Sequence, residues 1–335
     1  MPLTAAAAPL ALLALGLVLY LPGLGSEVLR HPLEAKYALA AREMLDGGPL
    51  LVPHLHGELY PDKPPLYFWV TVALGRLAGG EITELTARLP AALAAVAGLL
   101  VTWTLGRALF GPRAGVLSAV VLATSNLFFW YARQGHPDQF LSLFVSLACL
   151  AFWRGLASDD RRARAWTAGA YAAMALAVLS KGLLGLVLPV LAVAGHLALT
   201  GPARAVPARL RLAPGLALFL AIVLAWYAPA VTRHGMPYLH ESLVRQHLVR
   251  FADSWAHPAS WYFYLGEFPA AFLPWVLFFP GAVVLGWRAR REAPGQRPIL
   301  FPLAWFATGL LFFTLSSGKR SAYLLPLFPP AALAV

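Results

Sequence analysis

The strongest constraint on this chain is a succession of apolar stretches, each near the thickness of a bilayer, separated by short charged loops. Residues 5–24 (AAAAPLALLALGLVLYLPGL) are about twenty residues without a charge, enough to cross ~30 Å of hydrocarbon as a helix. Comparable runs follow at 89–109, 115–131, 138–156, 166–180, 182–199, 212–232, 264–287 and 299–316, with an incomplete one from 321 onward. Hydrocarbon offers the backbone no partners, so such runs must satisfy their amides internally as helices. The expected class is therefore an all-α polytopic membrane protein with about ten transmembrane helices. Composition agrees: 59% of residues are hydrophobic and 12% charged, with mean hydropathy +0.67, where soluble domains run near ~25% charged. The single cysteine, Cys149, lies in an apolar run, which excludes a disulfide framework and a cysteine-based zinc site and makes it a packing residue.

One long polar segment interrupts the pattern, Glu27 to Pro65. Ionisable side chains at this density beside a membrane are costly unless solvated or used, so the segment reads as a membrane-surface active-site loop. Within it, residues 34–46 place Tyr37, Ala38, Ala41, Met44 and Leu45 on one helical face, and Gly47, Gly48 and Pro49 stop the helix. It is too short to span and should lie in the interface. Residues 66–79 (LYFWVTVALGRLAG) would rise only ~21 Å as a helix and carry Arg76, so they read as a second interfacial helix. The organisation expected is one domain over 1–335: a first span at 5–24, an outer loop at 25–88 and the remaining spans from 89, with the last apolar stretch cut short at Val335.

Charge sets the orientation. If 66–79 does not cross, loops 107–113, 154–164, 204–211 and 288–297 share one side, carrying Arg107, Arg113, Arg154, Arg161, Arg162, Arg164 and further arginines against only Asp159, Asp160 and Glu292. Arginine-rich short loops are cytoplasmic. The net charge of +11 is thus mostly topology, and a nucleic-acid partner loses its support. The opposite side collects the first loop, YARQGHPDQ (131–139), SKG (180–182), the loop 233–261 and SSGKRSAY (316–323). Polar residues do not repeat along the spans as in a channel, and no internal repeat suggests a transporter.

The ordered set HPLEAKYALAAREML, LVPHL, YPDKPPLYFW, RLPAAL, HPDQF, LSKGLLGLVLPV, HLVRFADSWAHPASWYFYL, FLPW and SSGKRSAYLLPLFPPAA resembles the successive signatures of the bacterial aminoarabinose transferase and protein O-mannosyltransferase superfamily. The resemblance covers nearly the whole chain after the first span. It implies a GT-C membrane glycosyltransferase of the bacterial inner membrane with its active site facing the periplasm. Such an enzyme takes a sugar from a polyprenyl-phosphate donor and passes it to lipid A, a cell-envelope glycan or a protein. Expected partners are that donor, its acceptor and membrane lipids. The alternative is a non-catalytic protein that binds or flips lipid-linked sugars on the same fold.

The resemblance also assigns residues. Lys63, held between Asp62 and two prolines, is the leading phosphate ligand, since a point charge on a stiff turn suits a phosphate; an interfacial lysine on anionic head groups is its bland reading. Lys36, Arg250, Lys319 and Arg320 are further cations on that side, for phosphate contact or for snorkelling. Tyr60 and Tyr323 match tyrosines near the donor, or anchor the interface. The family's first-loop helix normally opens Asp-Glu, the aspartate being the favoured base, whereas this chain reads Leu33-Glu34. Glu34 is the substitute candidate, one residue and ~100° away, or else a structural partner of Lys36 or Arg245. Asp138 resembles a second family acid and could instead cap its helix or hold Arg133, His136 or a sugar hydroxyl. Lys181 sits between apolar runs, where a charge needs a partner such as Asp138 or Glu34. No cofactor is required. His54, His56 and Asp62 are weak candidates for a divalent metal, because their spacing matches no standard ligand set.

Overall fold

The computed structural model describes residues 7–158, 160–201, 209–252, 258–289, 291 and 297–335, which are mostly helical with almost no sheet. Helix α1 (Ala7–Tyr20) leads into the first loop, where α2 (Pro32–Leu45) begins behind the N-cap His31 and Pro32. Proline suits that position because its missing N–H has no partner in a first turn. A short hairpin follows, β1 (His54–Leu55) pairing antiparallel with β2 (Glu58–Leu59). Its turn residues His56 and Gly57 both have positive φ, 56° and 78°, the geometry of a two-residue primed turn. The Glu43 carboxylate clamps that turn onto α2 by accepting from His56 N at 2.7 Å and Gly57 N at 3.2 Å. Periodicity in the sequence did not reveal this hairpin, whose strands are two residues each.

Helix α3 (Leu66–Leu77) packs on α2 and on α4 (Glu84–Phe110), with the Tyr67 hydroxyl donating to Ala87 O at 2.7 Å. The bundle continues with α5 (Pro112–Ala123), α6 (Asn126–Ala132), α7 (Asp138–Ala157), α8 (Asp160–Lys181), α9 (Leu184–Thr200) and α10 (Leu212–Leu239). Among the described residues, three helices are long and apolar enough to cross a membrane: Glu84–Phe110, Asp138–Ala157 and Leu212–Gln246. Two broken pairs raise that number to five.

Several expected spans are thus not single straight helices. Residues 115–131 are α5 and α6, bent by 69°; Thr124 and Ser125 at the break turn their hydroxyls back onto the carbonyls of Val120 and Val121, a bond that bends helices. Residues 264–287 divide into Phe263–Ala271 and Trp275–Ala289, bent by 110° around Pro274. Helix α10 outruns its expected end at 232, and Gly235 (φ 76°) kinks it before a π-helical stretch, His240–Val249. Residues 321–334 are a 3₁₀ segment, Ser321–Leu327, followed by Phe328–Ala334.

Packing supplies most of the cohesion, because lipid tails compete with apolar side chains for burial and small residues that admit close backbones are favoured. A Cβ on Gly115 would lie 2.6 Å from Trp103 O and 2.7 Å from Arg107 N, so α4 and α5 meet backbone to backbone. Helix α7 runs through the centre, touching α4, α8, α9 and the 3₁₀ segment, with Cys149 fully buried on it. That arrangement carries the start of α7, the end of α8 and the start of the 3₁₀ segment to one end of the bundle.

Candidate active site

At that end a cleft of about 260 Å³ is lined by Asp62, Lys63, Lys181, Gln246, Ser316, Gly318 and Tyr323 on its polar side. Leu183, Leu184, Val187, Phe251, Phe312 and Phe313 complete the lining. Four distant segments of the sequence therefore meet there: the first loop, the SKG turn, the loop after α10 and SSGKRSAY.

Each polar side chain is placed by its local structure. Helix α8 ends at Lys181, where Gly182 (φ 77°) reverses the chain, and the ammonium is delivered to the Asp138 Oδ1 of α7 in a tight ion pair. The same ammonium stands 5.0 Å over the Tyr323 ring. The carboxylate thus has the lysine partner that the sequence offered beside a cap, Arg133, His136 or a sugar hydroxyl. Arg133 instead donates to the carbonyls of Tyr20 and Pro22. On the first loop, Lys63 Nζ donates to Asp62 O at 3.0 Å, while Asp62 Oδ1 accepts from the Gln246 amide at 2.9 Å. The SSGKRSAY loop is pinned by Ser317 N donating to Phe251 O at 3.0 Å and by a bridge between Gly318 and Pro258.

Beneath the cleft lies a second polar layer. The His136 ring, 2% exposed, makes edge contacts with His31, Tyr37 and Tyr131 at 5.1, 5.6 and 5.6 Å. Its Nδ1 is 3.9 Å from Asp138 Oδ2, and its buried Nε2 has no hydrogen-bond partner. Burial pushes its pKa down to about 4, with His31 and Arg320 acting in the same sense and Asp138 opposing, so the ring is neutral at ordinary pH. Burial likewise holds the Tyr37 phenol well above its usual range, helped by Tyr60 and Asp138 and opposed by Arg320.

The structure brings Lys63, Lys181, Asp138, Tyr323 and Asp62 together in or against the cleft. It seats others elsewhere. Lys319 is buried, with Nζ donating to Ser316 O at 2.5 Å, and burial lowers its pKa; it props the loop from within. Tyr60 packs beside Tyr37 in the cluster under the first loop. Arg320 is half-buried and acts electrostatically on Asp138, His136 and Tyr37. Lys36 is exposed and does not line the cleft. The side chain of Arg250 lies outside the described residues.

Glu34 differs most from its expectation. It is 1% exposed, and its partner is neither Lys36 nor Arg245 but Arg88, which donates Nε to Oε1 at 2.8 Å and Nη2 to Oε2 at 3.1 Å. Gly135 N adds a third donor to Oε1 at 2.7 Å. A carboxylate so enclosed is poorly placed to take a proton from an incoming hydroxyl, and Arg245 pairs with Glu241. The metal candidates do not converge either. His54 Nδ1 meets Val52 O, His56 contributes its backbone to Glu43 and Asp62 faces Gln246; among the described residues no group of three His, Cys, Asp or Glu is assembled.

Sequence reasoning missed Arg88 and Gln246. For Arg88 the signal was present, an arginine near the start of a long apolar helix, where an unpaired charge is costly. Gln246 carried none, since a neutral amide in a polar stretch resembles any solvated residue.

Residues 62–228 match the family model for dolichyl-phosphate-mannose-protein mannosyltransferase. The chain is 32% identical, over 94% of its length, to undecaprenyl phosphate-alpha-4-amino-4-deoxy-L-arabinose arabinosyl transferase from Edwardsiella ictaluri, of which it covers 56%. The crystal structure of ArnT from Cupriavidus metallidurans bound to undecaprenyl phosphate superimposes with TM-score 0.89 and 28% identity, over 99% of this chain and 60% of that one. The archaeal oligosaccharyltransferase AglB from Archaeoglobus fulgidus, at TM-score 0.65 and 16% identity, covers 98% of this chain and 50% of its own, and shows the fold alone. This chain thus spans under two thirds of the length of each of these proteins.

Proposed function

Because this chain is a relative, in sequence and in fold, of the aminoarabinose transferases and protein mannosyltransferases of GT-C type, we propose that it transfers a sugar from a polyprenyl-phosphate donor at the periplasmic face of a bacterial inner membrane. The acceptor class would be lipid A, another envelope glycan or a protein. The observation that carries the reading is the mixed lining of the cleft: lysines 63 and 181 and Tyr323 together with aliphatic and phenylalanine side chains. A lipid phosphate needs that combination, cations for its head and an apolar wall for its first isoprene units.

In this reading Lys63 and Lys181 hold the phosphate, and the Arg320 field adds to them. Attack by the acceptor oxygen on the anomeric carbon forms the new glycosidic bond. The carbon–oxygen bond to phosphate breaks, its electron pair goes to the lipid phosphate, and the acceptor proton must go to a base. Asp138 is neutralised by Lys181 and Glu34 by Arg88, so Asp62, the one carboxylate lining the cleft among the described residues, takes that role. Cations near the leaving phosphate favour the transition state by stabilising charge as it develops. Leu33 and the enclosed Glu34 favour a second reading, a binding or flipping protein without turnover.

Transfer from a radiolabelled undecaprenyl-phosphate sugar in proteoliposomes, with undecaprenyl phosphate binding measured in parallel, tests the proposal. Lys63→Ala should weaken that binding by about 10- to 100-fold, the loss of one charge-assisted contact. Unchanged affinity would reduce Lys63 to a lipid-surface lysine. Binding without transfer in the parent would establish the second reading.

A further inference from the structure

The buried guanidinium of Arg88, 7% exposed, uses all its donors. Besides its two bonds to Glu34, Nη1 donates to the carbonyls of Leu24 and Glu27 at 2.9 and 2.7 Å, and Nη2 to that of Val28 at 3.1 Å. Glu34 in turn accepts from Gly135 N. Glycine at 135 eases this approach, because a Cβ there would lie 3.0 Å from Ala87 O and 3.1 Å from Glu34 Cγ and would push its neighbours by a few tenths of an ångström. Three residues on is Asp138, reached through Pro137, whose φ of −71° is fixed by its ring. Asp138 then holds Lys181 in the cleft wall. A short connection therefore runs from the end of α1 and the first loop to the cation of the cleft, through buried and part-buried bonds and the ring-fixed Pro137.

We infer that Glu34, braced by Arg88, is a positioning residue for the ligand-binding cation Lys181, acting through Gly135 and Asp138. This deepens the proposed donor site and rests on it. Its physical basis is that a lysine side chain has several rotatable bonds and meets a phosphate as a point charge. Its contribution to binding depends on being held before the ligand arrives. Asp138 supplies the holding charge, but a carboxylate on the first residue of a helix is no better fixed than the turn that precedes it. Glu34 fixes that turn by a bond from the first loop, the same segment that carries Lys63, to the turn that leads into Asp138.

The test is a set of coupled substitutions in the full chain, in detergent or nanodiscs, with undecaprenyl phosphate itself as the probe. Lys181→Met should weaken binding about 10-fold. Glu34→Gln and, separately, Gly135→Ala should each weaken it about 3- to 10-fold in the parent but less than about 2-fold in the Lys181→Met background, the non-additivity of residues acting through one another. Gly135→Ala removes no charge and shifts the turn by a few tenths of an ångström, so it carries the test if Glu34→Gln does not fold. Losses that multiply fully with Lys181→Met would overturn the inference, as would parent-like affinity in both Glu34→Gln and Gly135→Ala. Should Lys181→Met bind like the parent while Lys63→Ala does not, the positioning role falls and the cleft reading stands. If neither lysine matters, both fall.

Discussion

Arg88→Met is the sharpest probe of how the outer loop is held. It removes both bonds to Glu34 and three to backbone carbonyls, leaving a 1%-exposed carboxylate with only the Gly135 amide as a partner. Breaking a buried pair by deleting one member typically costs about 3 to 5 kcal/mol, because the remaining charge is stranded. That corresponds to roughly two to three and a half decades in the folded-to-unfolded ratio. Replacing both members, Glu34→Leu with Arg88→Met, should recover most of the loss, since well-packed apolar substitutes for a buried pair are often neutral. The carbonyls of Glu27 and Val28 belong to exposed residues and can turn to water, so only Leu24 O keeps a residual penalty. Unfolding in mixed micelles, followed by tryptophan fluorescence, reads both variants. A single variant within about 1 kcal/mol of the parent would show the pair to be solvated, and a double variant as unstable as the single would show that the carbonyl bonds carry the load.

Asp62→Asn should lower transfer by ~10² to 10⁴ while leaving undecaprenyl phosphate binding near parent level, the usual weight of general-base help; full turnover in that variant would move the base elsewhere, and a gain from Leu33→Asp would mark the natural protein as impaired. A cysteine at 113 should resist labelling from the periplasm. The buried bond from Glu34 to Gly135 favours the same answer, because it requires an even number of crossings between the first loop and residue 135, which α4 and the α5–α6 pair supply only if α3 does not cross; ready labelling refutes that count. For His136, a folded pKa near 4 against 6.5 unfolded means the unfolded chain binds the extra proton between those values. Stability should therefore be full above pH ~6.5 and fall by roughly 3 kcal/mol as pH drops toward 4. His136→Gln should flatten that slope, and an equal slope in the variant would place the proton uptake on other groups.

The order of the fold was legible wherever the physics was local. A run of uncharged residues declares a helix in lipid regardless of its neighbours, and the proline and glycines that start and stop α2 act within a turn. The same locality explains the failures. Nothing inside 115–131 states that the helix breaks, because Thr124 and Ser125 bend it only by choosing an i−4 carbonyl, and Gly235 kinks α10 only by adopting a positive φ; in 264–287 Pro274 did mark the break, but the apolar run was long enough to read as one span.

For the site, the sequence could name cations and carboxylates but not pair them, and pairing decides their chemistry. Lys181 was legible as a charge in need of a partner because hydrocarbon on both sides leaves few choices, and Asp138 is the partner it finds. Glu34 was read as a base or as a structural partner of Lys36 or Arg245, yet the residue it pairs with is Arg88, 54 positions away. One rule accounts for both: a charge flanked by apolar sequence must be neutralised by whatever the topology brings near it. Applied to the RLPAAL stretch, it would have flagged Arg88 as the residue seeking a carboxylate. It would also have set Asp62, on a polar loop and hydrogen-bonded to a neutral amide, apart from the two paired acids, which is why the proposed base is placed there.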